Sequence, residues 1–477
     1  MNPLLLGGEM PHWSDRSPAG GDALTVLASA ARGHTLIVGP HAFPLIDAVP
    51  SARVTVLTRG VPDAEALAAR YASRPGFEVC CGSLEKLAAV PAYDTVLALD
   101  GLDRAGSTES DGLTWADSLG TLLAVLRPGG RLMLGCANPA GLHRLLALPA
   151  EPGDEEWGAP AFDDASRPVG AGALRSALAA AGLDVLGDYA AYPDPRSPRA
   201  LVGSAALRDP DLRGFLAGVV RRAGAPDEPM LADPRPVAVQ MLASDLAGEL
   251  APGWFVVAAR GGSVPLPDVI LAATPDVVRL TRTARGWCRS DLDSAAVPVG
   301  RNLMDALLVA ARARDLPGMR ALLTAWQGGE FAGVSADGIV VDADGRLHDL
   351  RLGAAGDPQV ALGHFVDAAP ADLAELIAAM TGVAPASAPA WPGAGAFREV
   401  AAERDRLARE LGEAQARLDW YESRLATRDA ELARAHRIIT LLKGTVPGRA
   451  ATAVRGALRT GKRAARTALH QFRRQQR

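Results

Sequence analysis

Short apolar runs alternate with amphipathic stretches over the first two hundred residues of the chain. A continuous apolar run is typical of a parallel strand that helices cover on both faces. Seven runs are predicted to be strands, at residues 35–38, 54–57, 77–81, 94–99, 131–136, 183–191 and 199–207. Helical patterns separate most of them, which favours βαβ units, right-handed crossovers and a mainly parallel α/β sheet.

The middle of the chain mixes both patterns. Residues 208–382 contain amphipathic helices and short strands, and we interpret them as a smaller α+β accessory domain that caps the sheet or shapes the acceptor site. Residues 338–350 alternate around Asp344-Gly345, which predicts a β-hairpin. An EF-hand is disfavoured because the ligand positions fall in the wrong register.

The pattern becomes heptadic after a Pro/Ala/Gly linker at residues 383–396. One seam repeats every seven residues with large apolar side chains, Leu411, Leu418, Leu425, Leu432 and Ile439. The other is poorer, with Leu407, Ala414, Tyr421, Arg428, Ala435 and Leu442. Residues 397–442 are therefore predicted to form a weak coiled coil, either a homodimer through 404–442 or a helix folded back on its own domain.

The last segment, residues 443–477, carries ten basic residues and no acidic one. Several of the basic residues lie at helical spacing beside apolar ones, which is typical of a basic amphipathic helix that binds an anionic membrane surface or an acidic partner. A solvated tail is the alternative. Nucleic acid is disfavoured because no set of aromatic residues for base stacking accompanies the charges.

Composition sets the general class. The chain has 477 residues, 48% of them apolar, and a net charge of −4, which predicts a globular protein of two or three domains. Its four cysteines form no CxxC pair and no zinc spacing, so buried free thiols and no metal site are expected. The N-terminus lacks signal-peptide features, and no apolar run would span a bilayer. We expect a cytoplasmic protein that is peripheral at the membrane if the tail binds there.

Three motifs carry a resemblance to a known family. They are YDTVLALDGLDR at residues 93–104, LRPGG at 126–130 and Asn138-Pro139. Together they resemble the class I S-adenosylmethionine-dependent methyltransferases over about residues 20–207. The resemblance implies a Rossmann-like, seven-stranded methyltransferase sheet within residues 1–207. It also implies S-adenosylmethionine as cofactor. Our leading hypothesis is that the methyl group is transferred to a small molecule or glycan.

The resemblance also implies where the cofactor lies. Its site would be formed at the carboxyl ends of the first four strands by Gly39, Pro40, His41, Thr58, Arg59, Ser83, Leu99 and Asp100. Asp103 is the candidate general base, and Arg104 stands where the family usually has a histidine.

Several of these positions depart from the family pattern. Ile37 replaces an acidic residue, and His41 and Phe43 replace glycines, so Phe43 is expected to crowd the cofactor. Thr58 and Arg59 stand where an acidic residue usually binds the ribose. Two hypotheses follow: a divergent methyltransferase, or a catalytically inactive scaffold that oligomerises through its coiled coil and docks through its basic tail.

Overall fold

The structure is a computed structural model of the chain. It describes residues 2–15, 17–106, 113–148, 164–225, 230–272, 277–292, 295–369, 373–383, 392–444 and 446–474. By internal contacts the chain divides into two compact units, Met1–Gly395 and Ala396–Arg477, and each is described by itself.

Fifteen strands are present in the described residues. They are β1 (Leu4–Gly7), β2 (His34–Val38), β3 (Arg53–Thr58), β4 (Phe77–Gly82), β5 (Tyr93–Ala98), β6 (Leu126–Ala137), β7 (Asp184–Tyr192), β8 (Ala200–Gly203), β9 (Gly253–Ala259), β10 (Val269–Ala272), β11 (Val277–Thr283), β12 (Gly286–Arg289), β13 (Arg301–Asn302), β14 (Ile339–Val341) and β15 (Leu347–Asp349).

Fifteen α-helices are described as well. They are α1 (Asp22–Ala28), α2 (Phe43–Asp47), α3 (Val61–Arg70), α4 (Trp115–Val125), α5 (Leu142–Leu146), α6 (Ala171–Ala180), α7 (Ser204–Leu207), α8 (Arg213–Ala223), α9 (Pro234–Ala243), α10 (Leu303–Arg312), α11 (Leu316–Gln327), α12 (Pro358–Asp367), α13 (Ala374–Thr381), α14 (Pro392–Gly444) and α15 (Val446–Arg474).

The main sheet has twelve strands in the order β1-β4-β3-β2-β5-β6-β9-β7-β8-β10-β11-β12. Strands β1 to β6 pair in parallel, whereas β9 lies antiparallel between β6 and β7. Strands form at all seven predicted places, but the last one ends at Gly203 because Ser204–Leu207 form α7. The count is corrected to twelve by β1 and by β9 to β12. Because β9 to β12 follow residue 207 in the chain, pairing within this sheet crosses the boundary predicted there. The fold is a Rossmann-like α/β sheet.

Both faces of the parallel strands are buried, which explains their continuous apolar sequence. Successive side chains of a strand point to opposite faces. Accordingly, Ile37 packs in the core under α1, α2 and α3, while its neighbours Leu36 and Val38 pack in the core under α4 and α6. All seven residues of β9 are also buried, so this strand lies in the middle of the sheet.

The residues after 290 form a smaller sheet with its own core. Strands β13, β14 and β15 pair antiparallel, and α10 to α13 surround a cluster that includes the buried Trp326. The hairpin predicted at residues 338–350 is confirmed, because β14 and β15 pair and Gly345 adopts a positive φ of 78° in the turn.

The second unit contains most of α14, a helix of 53 residues, and α15, a helix of 29 residues. Because α14 begins at Pro392, the last residues of the linker predicted at 383–396 are helical instead. Helical structure in this unit agrees with the sequence pattern, while pairing with another helix stays a prediction. Among the described residues no helix is long and apolar enough to cross a membrane. The same residues contain no group of three or more His, Cys, Asp or Glu side chains that could hold a metal ion.

Candidate functional site at the carboxyl ends of β2 to β5

The strand order reverses between β2 and β5. From β2 the chain adds β3 and β4 on one side and then returns to add β5 and β6 on the other side. In open α/β sheets such a switch point leaves a crevice beyond the carboxyl ends of the two strands, and ligands bind there. The structure therefore brings the predicted cofactor residues to one edge of the sheet.

A glycine and a histidine end β2 at this edge. Gly39 turns the chain with a positive φ of 89°, and its N–H donates to the carbonyl oxygen of Leu57 at 2.9 Å. His41 is buried, and its Nε2 lies 3.2 Å from the Leu99 nitrogen, which donates to it. Nδ1 must then carry the proton and donate to the Gly39 carbonyl oxygen at 3.0 Å. Burial also lowers the pKa of His41, which favours this neutral form.

Part of the N-terminal segment, residues 8–15 and 17–19, packs along the same edge. The Ala19 nitrogen donates to the Pro40 carbonyl oxygen at 3.0 Å, and the Ala42 nitrogen donates to the Ala19 carbonyl oxygen at 2.8 Å. Further along, the Asp15 nitrogen donates to a carboxylate oxygen of Asp63 at 2.9 Å. The segment therefore lies against the end of β2 and the first turn of α3.

Two buried aspartates and one arginine, whose side chain is 22% exposed, form a charge network beside His41. Arg104 donates from Nε to Asp100 Oδ2 at 2.8 Å and from Nη1 to Asp15 Oδ1 at 2.6 Å. It also donates from Nη2 to the Ser17 carbonyl oxygen at 3.0 Å. The side chains of Asp15 and Asp100 are 4% and 1% exposed. Burial raises the pKa of Asp15 to about 6 and raises that of Asp100 as well, against the opposing effect of Arg104.

The end of β3 carries a buried hydroxyl that has no partner. Thr58 is 3% exposed, and its Oγ1 makes no hydrogen bond. A buried polar atom left in this way costs about 1–3 kcal/mol. The neighbouring Arg59 donates from Nη1 to the carbonyl oxygen of Gly106 at 2.6 Å and from Nε to that of Gly8 at 3.4 Å. Among the predicted cofactor residues, Thr58 is therefore the one whose side-chain hydroxyl is left unsatisfied within the protein.

The remaining predicted residues lie nearby but are engaged within the protein. Ser83 follows β4, is fully buried, and its Oγ and backbone nitrogen both contact the Gly7 carbonyl oxygen, at 3.4 and 3.0 Å. Asp103, the predicted general base, forms an ion pair with Arg167 at 2.9 Å, and its side chain is 42% exposed. Its catalytic role stays a prediction.

Phe43 does not crowd the crevice, contrary to the expectation from sequence. It is the first residue of α2, is 38% exposed, and its ring lies 6.4 Å from that of Tyr71 and 4.7 Å from the Arg70 guanidinium. The helix turns the side chain toward α3. His41 occupies the space between β2 and β5 instead.

Sequence reasoning missed the N-terminal contribution to the site. Asp15 lies in a polar stretch before α1 that has no periodicity, so nothing in the pattern connects it with Arg104, 89 residues later. The charged tripeptide Ser14-Asp15-Arg16 is the one signal that could have drawn attention to it.

Comparisons with known proteins give fold-level likeness only. No family model and no curated protein matches the chain. The structure is similar to the [4+2]-cyclase SpnF, with 17% identity over 55% of this chain and 89% of that one, at a TM-score of 0.27. It is similar to a putative S-adenosylmethionine-dependent methyltransferase from Listeria monocytogenes, with 14% identity, 50% and 95% coverage, and a TM-score of 0.29.

A third similar structure is the 1,6-didemethyltoxoflavin-N1-methyltransferase of Burkholderia thailandensis, with bound 1,6-didemethyltoxoflavin and S-adenosylhomocysteine. The identity is 14%, the coverage is 50% of this chain and 79% of that one, and the TM-score is 0.26. With TM-scores this low, the fold assignment of this chain depends on its own strand order and burial.

Proposed function

We propose that this chain binds S-adenosylmethionine beyond the carboxyl ends of β2 and β5 and transfers its methyl group to a small molecule or glycan. One observation carries the proposal: the sheet reverses at these strands and gathers Gly39, Thr58 and Asp100 at one edge, with the Thr58 hydroxyl buried and without a partner. The motifs at residues 93–104 and 126–130 agree with it.

The residues at this edge fit an adenosyl group in part. Thr58 Oγ1 would pair with a hydroxyl or ring nitrogen of the ligand, which would remove the cost of its burial. Asp100, in contrast, accepts hydrogen bonds from Arg104, so its carboxylate is not free for a ribose. Recognition would depend on Thr58 and on backbone groups near Gly39 rather than on an acidic residue.

Methyl transfer asks little acid–base chemistry of the protein. The sulfonium of the cofactor supplies an activated methyl group, so the chain's own task is to align the acceptor with it. A base is useful for a hydroxyl or amine acceptor. Asp103 is the carboxylate proposed for this role, and its Arg167 partner would have to release it.

Isothermal titration calorimetry of the full chain with S-adenosylmethionine and S-adenosylhomocysteine tests the proposal. We expect a dissociation constant near micromolar, equivalent to about 8 kcal/mol. Thr58→Val should weaken binding roughly fivefold, because one hydrogen bond of about 1 kcal/mol is lost. Thr35→Val is the matched control: its hydroxyl bonds Ser51 at 2.6 Å at the other end of β2, so ligand affinity should not change.

The scaffold alternative is favoured by a different observation. The polar groups nearest the switch point already satisfy each other, since Arg104 joins Asp100 to Asp15 and His41 accepts from Leu99. If neither compound releases heat at millimolar concentration, the methyltransferase proposal fails and the scaffold takes its place.

A further inference from the structure

We propose that α14 pairs with α14 of a second copy of this chain as a parallel, in-register coiled coil over residues 407–439. At a rise of 1.5 Å per residue this segment is about 50 Å long. The inference is independent of methyl transfer. It depends on the exposed apolar seam of α14 and on the charges that border this seam.

The seam is apolar and uncovered. Its main positions carry side chains that are 46–63% exposed, namely Leu411, Leu418, Leu425, Leu432 and Ile439. A single helix leaves this apolar stripe in contact with water, so the stripe contributes little to its stability. Two helices whose seams interlock bury the stripe between them. The regular spacing of seven residues matches a two-stranded left-handed supercoil rather than packing on an irregular surface.

The heptad register follows from what stands beside this stripe. Three residues after the first four main positions lie Ala414, Tyr421, Arg428 and Ala435. Four residues after them lie Gln415, Glu422, Asp429 and His436. The first set is the less polar, so the leucines occupy position a and the first set occupies position d. Positions g and e border the seam. The g positions then carry Glu410, Arg417, Arg424 and Glu431, and the e positions carry the second set.

These border charges complement each other between two copies of the same helix. In a parallel coiled coil a g residue faces the e residue five positions later on the partner helix. Arg417 then faces Glu422 of the second copy, and Arg424 faces Asp429. Both pairs occur twice by symmetry. A helix that carries both halves of each pair is suited to a second copy of itself.

Other arrangements place like charges together. A stagger of one heptad would bring Glu410 opposite Glu422, or Glu431 opposite Asp429, depending on its direction. In an antiparallel pair, e positions face e positions. The carboxylates at the e positions, Glu422 and Asp429, would then face carboxylates of the second helix and repel them. The parallel, in-register pair avoids all of these contacts.

One polar residue within the seam adds to this specificity. Arg428 occupies a d position, and its Nη1 lies 3.7 Å from Glu431 of the same helix. A single polar residue in a seam lowers stability but fixes register and the number of strands. The two copies of Arg428 meet only in the in-register pair, where each has its own carboxylate nearby.

Sedimentation equilibrium of the full chain is the first test, and twice the mass of one chain is expected at micromolar concentration. Leu425→Asp places a charge in the seam and should raise the dimer dissociation constant by about 100-fold or more, because two apolar contacts are lost and two charges buried. Leu441→Asp is the matched control, since Leu441 is 72% exposed and lies off the seam. A monomeric wild-type chain, or equal loss in both variants, overturns the proposal.

Single cysteines determine the orientation. The native cysteines are buried and free, and burial raises the thiol pKa of Cys81 to about 11 and that of Cys136 to about 12, so they do not compete for mild oxidation. Ala414→Cys and Ala435→Cys should each cross-link to the same residue of the second copy. An antiparallel pair brings at most one position next to itself. Cross-linking between the two variants but not within each would overturn the parallel arrangement.

A charge exchange tests the border pairs without touching the seam. Glu422→Arg should raise the dissociation constant roughly tenfold at low salt, since two symmetry-related attractions become repulsions. Adding Arg417→Glu in the same chain should restore the wild-type value. If the double variant binds itself no better than the single variant, these residues do not face each other and the register is wrong.

Discussion

Replacing Arg104 by methionine tests the charge network at the edge of the sheet. The substitution keeps much of the side-chain volume and removes the cation. Asp15 and Asp100 are then left as carboxylates that are 4% and 1% exposed, without the guanidinium that bonds both. We therefore expect a large loss of stability at neutral pH.

The magnitude follows from the burial. Removing one partner of a buried ion pair costs about 3–5 kcal/mol, because the charge that remains has lost its compensation. An exposed pair is worth about 0–1 kcal/mol. Arg127→Met is the matched control: Arg127 pairs with Asp94 at 3.0 Å, but the two side chains are 44% and 35% exposed. The two variants should differ by about 2–5 kcal/mol at pH 7.5.

The loss should depend on pH in a defined direction. The folded-state pKa of Asp15 is already raised to about 6, so between pH 4 and pH 6 the folded chain binds more protons than the unfolded chain. Stability from this group is therefore greatest below pH 4 and falls as pH rises through 6, by roughly 3 kcal/mol. Without Arg104 both carboxyls should protonate more readily, so the cost of the substitution should shrink by about half at pH 5.

Urea denaturation at pH 7.5 and pH 5, followed by tryptophan fluorescence, measures both effects. Asp15→Asn in the Arg104→Met background should recover about 1–2 kcal/mol at pH 7.5, because one of the uncompensated charges is gone. If Arg104→Met costs no more than Arg127→Met, or if its cost is the same at both pH values, the carboxylates are not buried as the structure places them.

Two further expectations concern other parts of the chain. Deleting residues 443–477 should abolish cosedimentation with phosphatidylserine liposomes. Neutral liposomes should bind neither the full chain nor the shortened chain. If the full chain does not sediment with either kind of liposome, the membrane proposal fails. Gly135→Ala should destabilise the sheet by more than about 2 kcal/mol, because the added Cβ would lie 2.1 Å from the Leu99 carbonyl oxygen. In Gly120→Ala, in α4, the added Cβ contacts no other atom, so this variant should be more stable by about 0.5–1 kcal/mol. Equal thermal midpoints of the two variants would contradict this packing.

Local patterns were sufficient for the strands between residues 34 and 203, but not for β1, because its run of three leucines is too short to predict a strand. Continuous apolar runs such as 35–38 and 131–136 became central strands because burial on both faces demands them. The hairpin at Gly345 could also be predicted from the sequence, since its turn needs a residue with positive φ. These features depend on neighbours along the chain.

The number of strands in the sheet could not be predicted from local sequence, because it depends on pairing between distant segments. Residues 253–259 have the composition of a buried strand, but nothing local indicates that they insert antiparallel between β6 and β7. Pairing partners are selected by the free sheet edges that the rest of the fold provides. A sequence boundary at residue 207 could therefore coincide with a helix end and still lie within one sheet.

The site shows the same limit at the level of single side chains. A histidine can stand where the resemblance expects a glycine because the N–H of Leu99, at the end of β5, is a buried donor that needs an acceptor, and His41 Nε2 supplies one. The imidazole then takes the space between the two strands, and Arg104 takes the carboxylate of Asp100. The resemblance could locate the edge, but only the geometry shows which groups there are satisfied and that Thr58 Oγ1, one strand away, is not. That difference in hydrogen bonding makes Thr58 a sharper test of ligand binding than any acidic residue that the motifs suggest.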